Sequence, residues 1–424
     1  MKNKREINPS DIEIMAPAGN FESLTAAIQG GADSVYFGIG DLNMRSHSAN
    51  NFSLEDLPEI VRICRENGVK SYLTLNIVVY DEDFASMEEV LESAAREGVS
   101  AIIASDMAAI TAARKHLLPV HISTQLNISN IGSLRFYSQF AEVMVLAREL
   151  NLEQVRKICD AISSEGIKGP TGEAVRVEMF CHGALCMAIS GKCYLSLHEY
   201  NSSANRGSCY QLCRRGYQVT DLETGRSLEV DNKYIMSPKD LSTINFVDKI
   251  IESGVRVFKI EGRARSAEYV KIVTRAYRDA ADAVCNGTYT KELKEELEKR
   301  VSSVFNRGFW DGYYQGAKLG EWSDVYGNRA TRRKRYIGKI TNYFSDISVV
   351  EILIETGELN RGQELLIIGP NTGVLEFTAD EIRVDLKSTQ KSIKGEFCSV
   401  AVPKGSKLRR SDKVYIWEEN IPIK

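Results

Sequence analysis

The chain has 424 residues, of which 43% are hydrophobic and 26% charged, a balance that supports packed cores and excludes a disordered polymer. At this length two or three structural units are expected. A formal net charge of −3 removes any global attraction to nucleic acid or anionic membrane, so contact with RNA has to come from local cationic patches. The first residues carry lysines but no apolar stretch of signal-peptide length, and no run of about 18 apolar residues occurs anywhere, which predicts a soluble, cytoplasmic protein without a membrane partner.

From residue 12 to 265, short β-rich apolar runs alternate with amphipathic segments, the pattern of repeated strand–helix units with a parallel sheet. Eight runs are legible, at 12–16, 34–38, 71–79, 101–104, 120–123, 143–147, 175–180 and 255–260. Between the second and third, Leu57, Ile60, Val61 and Cys64 recur at helical spacing and Asn67-Gly68 marks a helix end. Eight such units predict a TIM-like (β/α)8 barrel, with an open doubly wound sheet as the alternative. The cysteine-rich stretch 181–245 follows the seventh run as an insertion before the last strand, and its segment 219–236 reads as a hairpin turning at Thr224-Gly225.

The barrel unit is expected to span 1–285, closing on a strong helix at 267–285, with 286–330 as a helical and loop connector. Residues 331–424 read as a small C-terminal β-barrel: runs at 336–342, 347–354, 364–368 and 414–417 are separated by Gly, Asn and Pro. That unit opens on the basic run Arg332, Arg333, Lys334 and Arg335 and carries further cations at 404–410. Both read as candidate contacts for an RNA backbone or as solvated charge, and Tyr313, Tyr314 and Trp322 read as base-stacking candidates or as packing.

Five of nine cysteines fall between Cys181 and Cys213. In a reducing compartment such crowding points to metal or redox chemistry rather than disulfides. Six residues separate Cys186 from Cys193, fifteen separate Cys193 from Cys209, and three separate Cys209 from Cys213. Four thiolates satisfy either zinc or an iron–sulfur cluster, and the spacing does not choose between them. Cys64, Cys159, Cys285 and Cys398 read as small buried hydrophobes.

The motifs then become specific. Glu178, Phe180, His182, Gly183, Ala184 and Cys186, followed by Ser190, Gly191, Cys193, Leu195 and Ser196, and then Asn205, Gly207, Cys209, Cys213 and Arg214, resemble the signature of the collagenase-like peptidase family U-32. APAG at 16–19, GADSVYFG at 31–38, LAREL at 146–150, SPKDL at 237–241, KIEGR at 259–263 and FNRGF at 305–309 are similar to further family motifs, so the resemblance covers nearly the whole chain.

The resemblance implies more than proteolysis, because several members are iron–sulfur proteins that hydroxylate without molecular oxygen. The form with a C-terminal β-barrel looks like the branch that makes 5-hydroxyuridine at the tRNA wobble position. It implies a 4Fe-4S cluster on Cys186, Cys193 and Cys209, with prephenate as hydroxyl donor and tRNA as partner. The C-terminal unit is also similar to the second-domain barrel of translation factors. In some members a cysteine follows the Lys-Asp-Leu motif, whereas here Ser242 stands there, so Cys213 becomes the fourth ligand, with Cys181 in reserve.

Two rival functions stay open: a peptidase, and a non-catalytic RNA-binding protein in which the cysteines form a structural metal site. Cys181 and His182 are adjacent, and strand alternation aims them apart, which makes a poor catalytic dyad. The barrel reading gathers Arg45, Asn76, Gln125, Arg148, Glu149, His182, Glu261 and Arg263 at the carboxyl ends of strands. Of these, Arg148, His182, Glu261 and Arg263 are the expected catalytic residues, His182 to pass a proton and the two arginines to anchor a dianionic donor.

Overall fold

The computed structural model describes residues 7–47, 51–225, 227–228, 236–317, 319–323 and 327–420. Eight strands follow one another with parallel pairing: β1 (Glu13–Pro17), β2 (Ser34–Gly38), β3 (Lys70–Leu75), β4 (Ala101–Ala104), β5 (Val120–Ile122), β6 (Val143–Val145), β7 (Arg176–Gly183) and β8 (Val257–Ile260). β8 pairs with both β1 and β7, through Glu13 against Val257 and Val257 against Glu178, so the sheet closes. The eight-stranded barrel is therefore the one predicted, and the open sheet is excluded. These strands are buried on both faces, as parallel strands wrapped in helices must be. The third run is shorter than expected: β3 stops at Leu75, and 76–80 form a loop at the carboxyl end.

Local signals set the helix boundaries. Asn20, Asp106, Asn130 and Asn151 cap helix N-termini through their side chains, and Gly98 and Gly166 end helices in the left-handed conformation. The barrel interior is polar at its amino end, where Glu13 accepts bonds from Ser34 (2.9 Å) and Tyr72 (2.7 Å) and pairs with Lys70 (3.1 Å) and Arg176 (2.8 Å). Burial alone would raise the Glu13 carboxyl, but Arg176 and Lys70 hold it at about 2.

The segment 286–330 belongs to the barrel rather than to a free connector. Helix Lys291–Ser302 buries Leu297 and Val301 in the barrel's core, and Phe309–Trp310 pairs with a short strand, Asp240–Ser242, that is itself antiparallel to the end of β7. Of the expected hairpin at 219–236, Val219–Thr220 pairs with Ser227–Leu228, and 226 and 229–235 lie outside the described residues.

The C-terminal unit is an antiparallel sheet of eight strands around its own core of Ile337, Ile352, Leu365, Val400 and Ile416. Its principal strands are β9 (Arg332–Phe344), β10 (Val349–Ile354), β11 (Glu364–Gly369), β12 (Gly373–Thr378), β13 (Phe397–Ala401) and β14 (Lys413–Glu419). β9 starts at Arg332, so the basic run is strand. Each of its cations has a carboxylate: Arg332 meets Glu364 (2.5 Å), Lys334 meets Glu268 (2.9 Å), and Arg333 (3.2 Å) and Arg335 (2.6 Å) share Glu418. Four cations thus share three carboxylates, which offsets much of the run's charge, while the Arg333 side chain stays 63% exposed. Tyr314 is likewise a core residue, 2% exposed and donating to the Phe180 carbonyl, while Tyr313 packs its ring on Trp310.

Leu366, Ile368, Val374 and Trp417 of the C-terminal unit belong to the barrel's hydrophobic cluster, and Gln29 accepts from the Val374 amide while Lys271 donates to the Val374 carbonyl (both 2.9 Å). The two units are thus expected to unfold together in urea. Trp417→Ala should lower stability by about 3 kcal/mol with the transition still single. Two separate transitions, with the barrel's own midpoint unmoved by the substitution, would contradict the shared core.

Candidate functional site

The carboxyl ends of the strands surround a cavity of about 220 Å³. The insertion after β7 forms its lid and is tied down at several points. Arg214 donates to the carbonyls of Leu185 (2.6 Å) and Pro238 and to the Ser237 hydroxyl (3.0 Å), joining both ends of the insertion. Arg206 pairs with Asp83 and stacks 4.1 Å from the Tyr80 ring centroid, and Ser190 accepts from the Asn127 side chain at 3.0 Å. Gly183 turns the chain out of β7 at φ +104°, where a Cβ would overlap the Glu261 carbonyl, so glycine is required there.

Inward positions of the strands line the cavity: Tyr36 from β2, Thr74 from β3, Phe180 from β7 and Lys259 from β8, with Arg45, Asn76, Gln125, Arg148, Glu261 and Arg263 from the loops that follow strands. Seven cations line it, namely Arg45, Arg148, Arg214, Lys259, Arg263, Arg265 and Arg307, against one carboxylate, Glu261. Glu261 pairs with Arg45 at 2.7 Å and accepts from the Tyr36 hydroxyl at 3.2 Å. Burial would raise its carboxyl, but Arg45, Arg148 and Arg263 pull it down to about 2. Lys259 is held by Glu178 at 2.7 Å beneath the cavity, and burial raises the Glu178 carboxyl.

Two arginines are less compensated. Arg148 lies 3.8 Å over the Phe180 ring and donates to the Ala184 carbonyl (3.1 Å), and its buried Nε has no partner. Arg263, 5% exposed, donates to Asn43 (2.9 Å) and Thr74 (3.1 Å), and burial lowers its guanidinium to about 10. Gly38 makes room for it, since a Cβ there would overlap Nη1. Glu261, already paired with Arg45, is the one carboxylate near both, and that excess of positive charge favours an anionic ligand.

Cys186, Cys193, Cys209 and Cys213 all line the same cavity, and none of the nine cysteines is in a disulfide. Burial raises the Cys193 thiol and pushes Cys213 up to about 11, with the other cavity thiols adding to the effect in each case. In number, chemistry and shared exposure these four donors fit a thiolate-bound metal or cluster, whose charge would deprotonate them. Among the described residues no three His, Cys, Asp or Glu side chains already stand close enough to hold a metal ion.

Three of the four expected catalytic residues, Arg148, Glu261 and Arg263, therefore meet in one place, together with Arg45, Asn76 and Gln125. His182 does not. Where β8 advances from Lys259 to Ile260, β7 advances from Phe180 to His182, a bulge that turns His182 away from the inward side set by Phe180. The imidazole is 1% exposed, 3.3 Å from the Tyr277 hydroxyl and packed against Tyr269 and Phe309, and burial lowers it to about 3, so it is a neutral core group rather than a proton carrier in the cavity. The same bulge buries Cys181, whose thiol donates to the Lys259 carbonyl at 3.3 Å, which removes it as a reserve ligand. Glu149 is exposed outside the cavity, and Ser242 pairs with His182 and does not line it. Lys259 is absent from the expected site, although a lysine between Phe258 and Ile260 in an apolar strand faces the side opposite to both.

A closed parallel barrel with a cationic, thiol-walled cavity at its carboxyl mouth is the architecture of a TIM-barrel enzyme. Residues 19–324 match the family model described as Peptidase family U32, and the chain belongs to that family. It is 57% identical over 413 residues to a protein named Collagenase from Porphyromonas gingivalis, covering 97% of this chain and 99% of the relative. It is 36% identical over 415 residues to an uncharacterized protease of Methanocaldococcus jannaschii, covering 97% and 99%. It is 33% identical over 382 residues to the tRNA hydroxylation protein P1 of Bacillus subtilis, covering 87% and 86%. No helix among the described residues is long and apolar enough to cross a membrane.

Because the Glu261 carboxyl falls from 4.5 to about 2 on folding, its contribution is present above pH 4.5 and lost as the pH falls towards 2. The contribution is at most about 3 kcal/mol. Glu261→Gln should be less stable than the parent at pH 7 and show a shallower acid dependence between pH 4.5 and 2 in urea titrations. Parallel acid profiles for the two proteins would show that the arginines do not hold this carboxylate as described.

Proposed function

We propose that this chain hydroxylates a tRNA uridine without molecular oxygen, using an iron–sulfur cluster on Cys186, Cys193, Cys209 and Cys213 and a small dianionic hydroxyl donor such as prephenate. The observation that carries the reading is the pairing of four cavity thiols with a cation-rich lining, above all the buried Arg263 and the half-buried Arg148 with its unpartnered Nε. The tRNA hydroxylation relative supports the choice of substrate. A bound iron–sulfur cluster would supply redox chemistry at the cavity wall.

The chain's own residues do the rest. Arg148 and Arg263 bind the donor's carboxylates through paired hydrogen bonds, Arg45 and Glu261 hold each other in place beside them, and Phe180 and Tyr36 supply apolar walls. The lid of the insertion limits water entry. The uridine has to leave its stack to enter, which is cheapest in a single-stranded loop. With much of the charge at 332–335 offset, the exposed cations Lys404, Lys407, Arg409 and Arg410 add phosphate contacts to that run in the C-terminal unit; none of the four is ion-paired to a carboxylate among the described residues.

A peptidase is the second reading, favoured by the protein named Collagenase at 57% identity. Against it, the cavity's lining contains no histidine to serve as a base beside its thiols within the cavity.

Deleting the gene, in a strain with no paralogue, should abolish 5-hydroxyuridine-type nucleosides in digested tRNA. The intact chain should restore them, whereas Cys193→Ser and Arg148→Met should leave less than about a hundredth of the parent level, as expected when a positioning or redox group is lost. Unchanged nucleosides in the deletion would remove the tRNA assignment and return weight to the peptidase.

A further inference from the structure

We infer that the rim of the lid is a base-stacking platform for single-stranded RNA, built from Tyr194, Tyr200 and Tyr210. The inference rests on the RNA-modifying reading and names the surface that reading leaves open. Two of these tyrosines directly follow cysteines that line the cavity: Tyr194 comes after Cys193 and Tyr210 after Cys209. Where the thiols turn inward, the rings turn out to solvent. Tyr194 is 71% exposed, Tyr210 57% and Tyr200 46%. Large aromatic side chains normally bury most of their area, so three exposed rings within one short lid, at the mouth of a reactive cavity, call for a partner.

The arrangement of the rings suits bases. Tyr200 and Tyr210 stand with centroids 5.2 Å apart at 55°, leaving open faces rather than a closed stack. Arg215 lies 5.6 Å from the Tyr200 ring centroid and donates to its hydroxyl at 2.9 Å, which holds the ring and places a cation beside it. The Tyr210 amide donates to the Ser196 hydroxyl (3.1 Å), fixing one ring's backbone to the helix that carries the other.

Charge favours a polyanion. Residues 185–217 carry Lys192, Arg206, Arg214 and Arg215 against Glu199 alone, four minus one or +3, in a chain whose net charge is −3. Arg206 and Arg214 are spent on the lid's own fastening, and the exposed Lys192 and Arg215 remain for phosphate. The rim is built from the helix Leu195–Tyr200 and the single turns Ala204–Arg206 and Leu212–Arg214, so it offers ring faces rather than the strand edge by which an extended peptide is gripped.

The test uses the full chain and fluorescence anisotropy with a labelled RNA hairpin whose loop is single-stranded and contains uridine, a fully paired duplex of similar length, and gelatin as the peptide probe. Tyr200→Ala and Tyr210→Ala should each weaken hairpin binding about tenfold, Tyr→Phe at the same positions should stay within about twofold, and duplex binding should not change. Hairpin binding by the parent that the alanine variants retain in full would overturn the platform while leaving the RNA-modifying reading intact. No hairpin binding by the parent, with gelatin bound and weakened by the same alanine variants, would overturn both and make the rim a peptide surface.

Discussion

A guanidinium taken out of water has to be compensated by hydrogen bonds, by a carboxylate or by a bound anion. The mouth of this barrel brings seven cations to one cavity; Lys259 is paired with Glu178, Arg265 and Arg307 with Asp240, and Arg45 with Glu261, and much else in the structure is arranged around the positive charge that remains. Glu261 is held ionised by it, Gly38 is kept small beside Arg263, and Lys259 is tied from below by Glu178. The least compensated of these cations is Arg148, whose buried Nε has no hydrogen-bond partner, and the proposed anionic donor rests on it.

The lid adds four thiols to that cationic cavity. Its fastenings cross from the insertion to the loops after β2, β3 and β5, through Gly207 against Asn43 and Ser46, Arg206 on Asp83, and Ser190 on Asn127. These contacts turn a glycine- and cysteine-rich stretch with little regular structure into one wall of the cavity. The relatives carry two kinds of name, collagenase or protease and tRNA hydroxylation protein. A thiol protease needs an imidazole next to its sulfur, and here His182 is enclosed by Tyr269, Tyr277 and Phe309 instead.

The barrel was legible in the sequence because parallel strands buried on both faces appear as continuous apolar runs at regular intervals. Arg148, Glu261 and Arg263 were legible for the same reason, since residues just past the end of each run must face the mouth. His182 was misplaced because a β-bulge costs one residue of register and leaves no mark in composition. The ion pairs of the basic run 332–335 were not legible because its partners, Glu268, Glu364 and Glu418, are distant in sequence and approach only in the fold. The packing of the C-terminal sheet against the barrel, through Val374 and Trp417, was invisible for the same non-local reason.

The central claim is that the four lid thiols hold an iron–sulfur cluster facing the cationic cavity, and the most direct measurement is metal analysis of the full chain purified without oxygen. The account predicts iron and acid-labile sulfide each in about four-to-one proportion to the chain, as a 4Fe-4S cluster requires, with a brown absorption that Cys186→Ser, Cys193→Ser, Cys209→Ser or Cys213→Ser removes or severely weakens. Stoichiometric zinc with no iron, or four lid thiols that all react freely with a thiol reagent in the anaerobic protein, would contradict it.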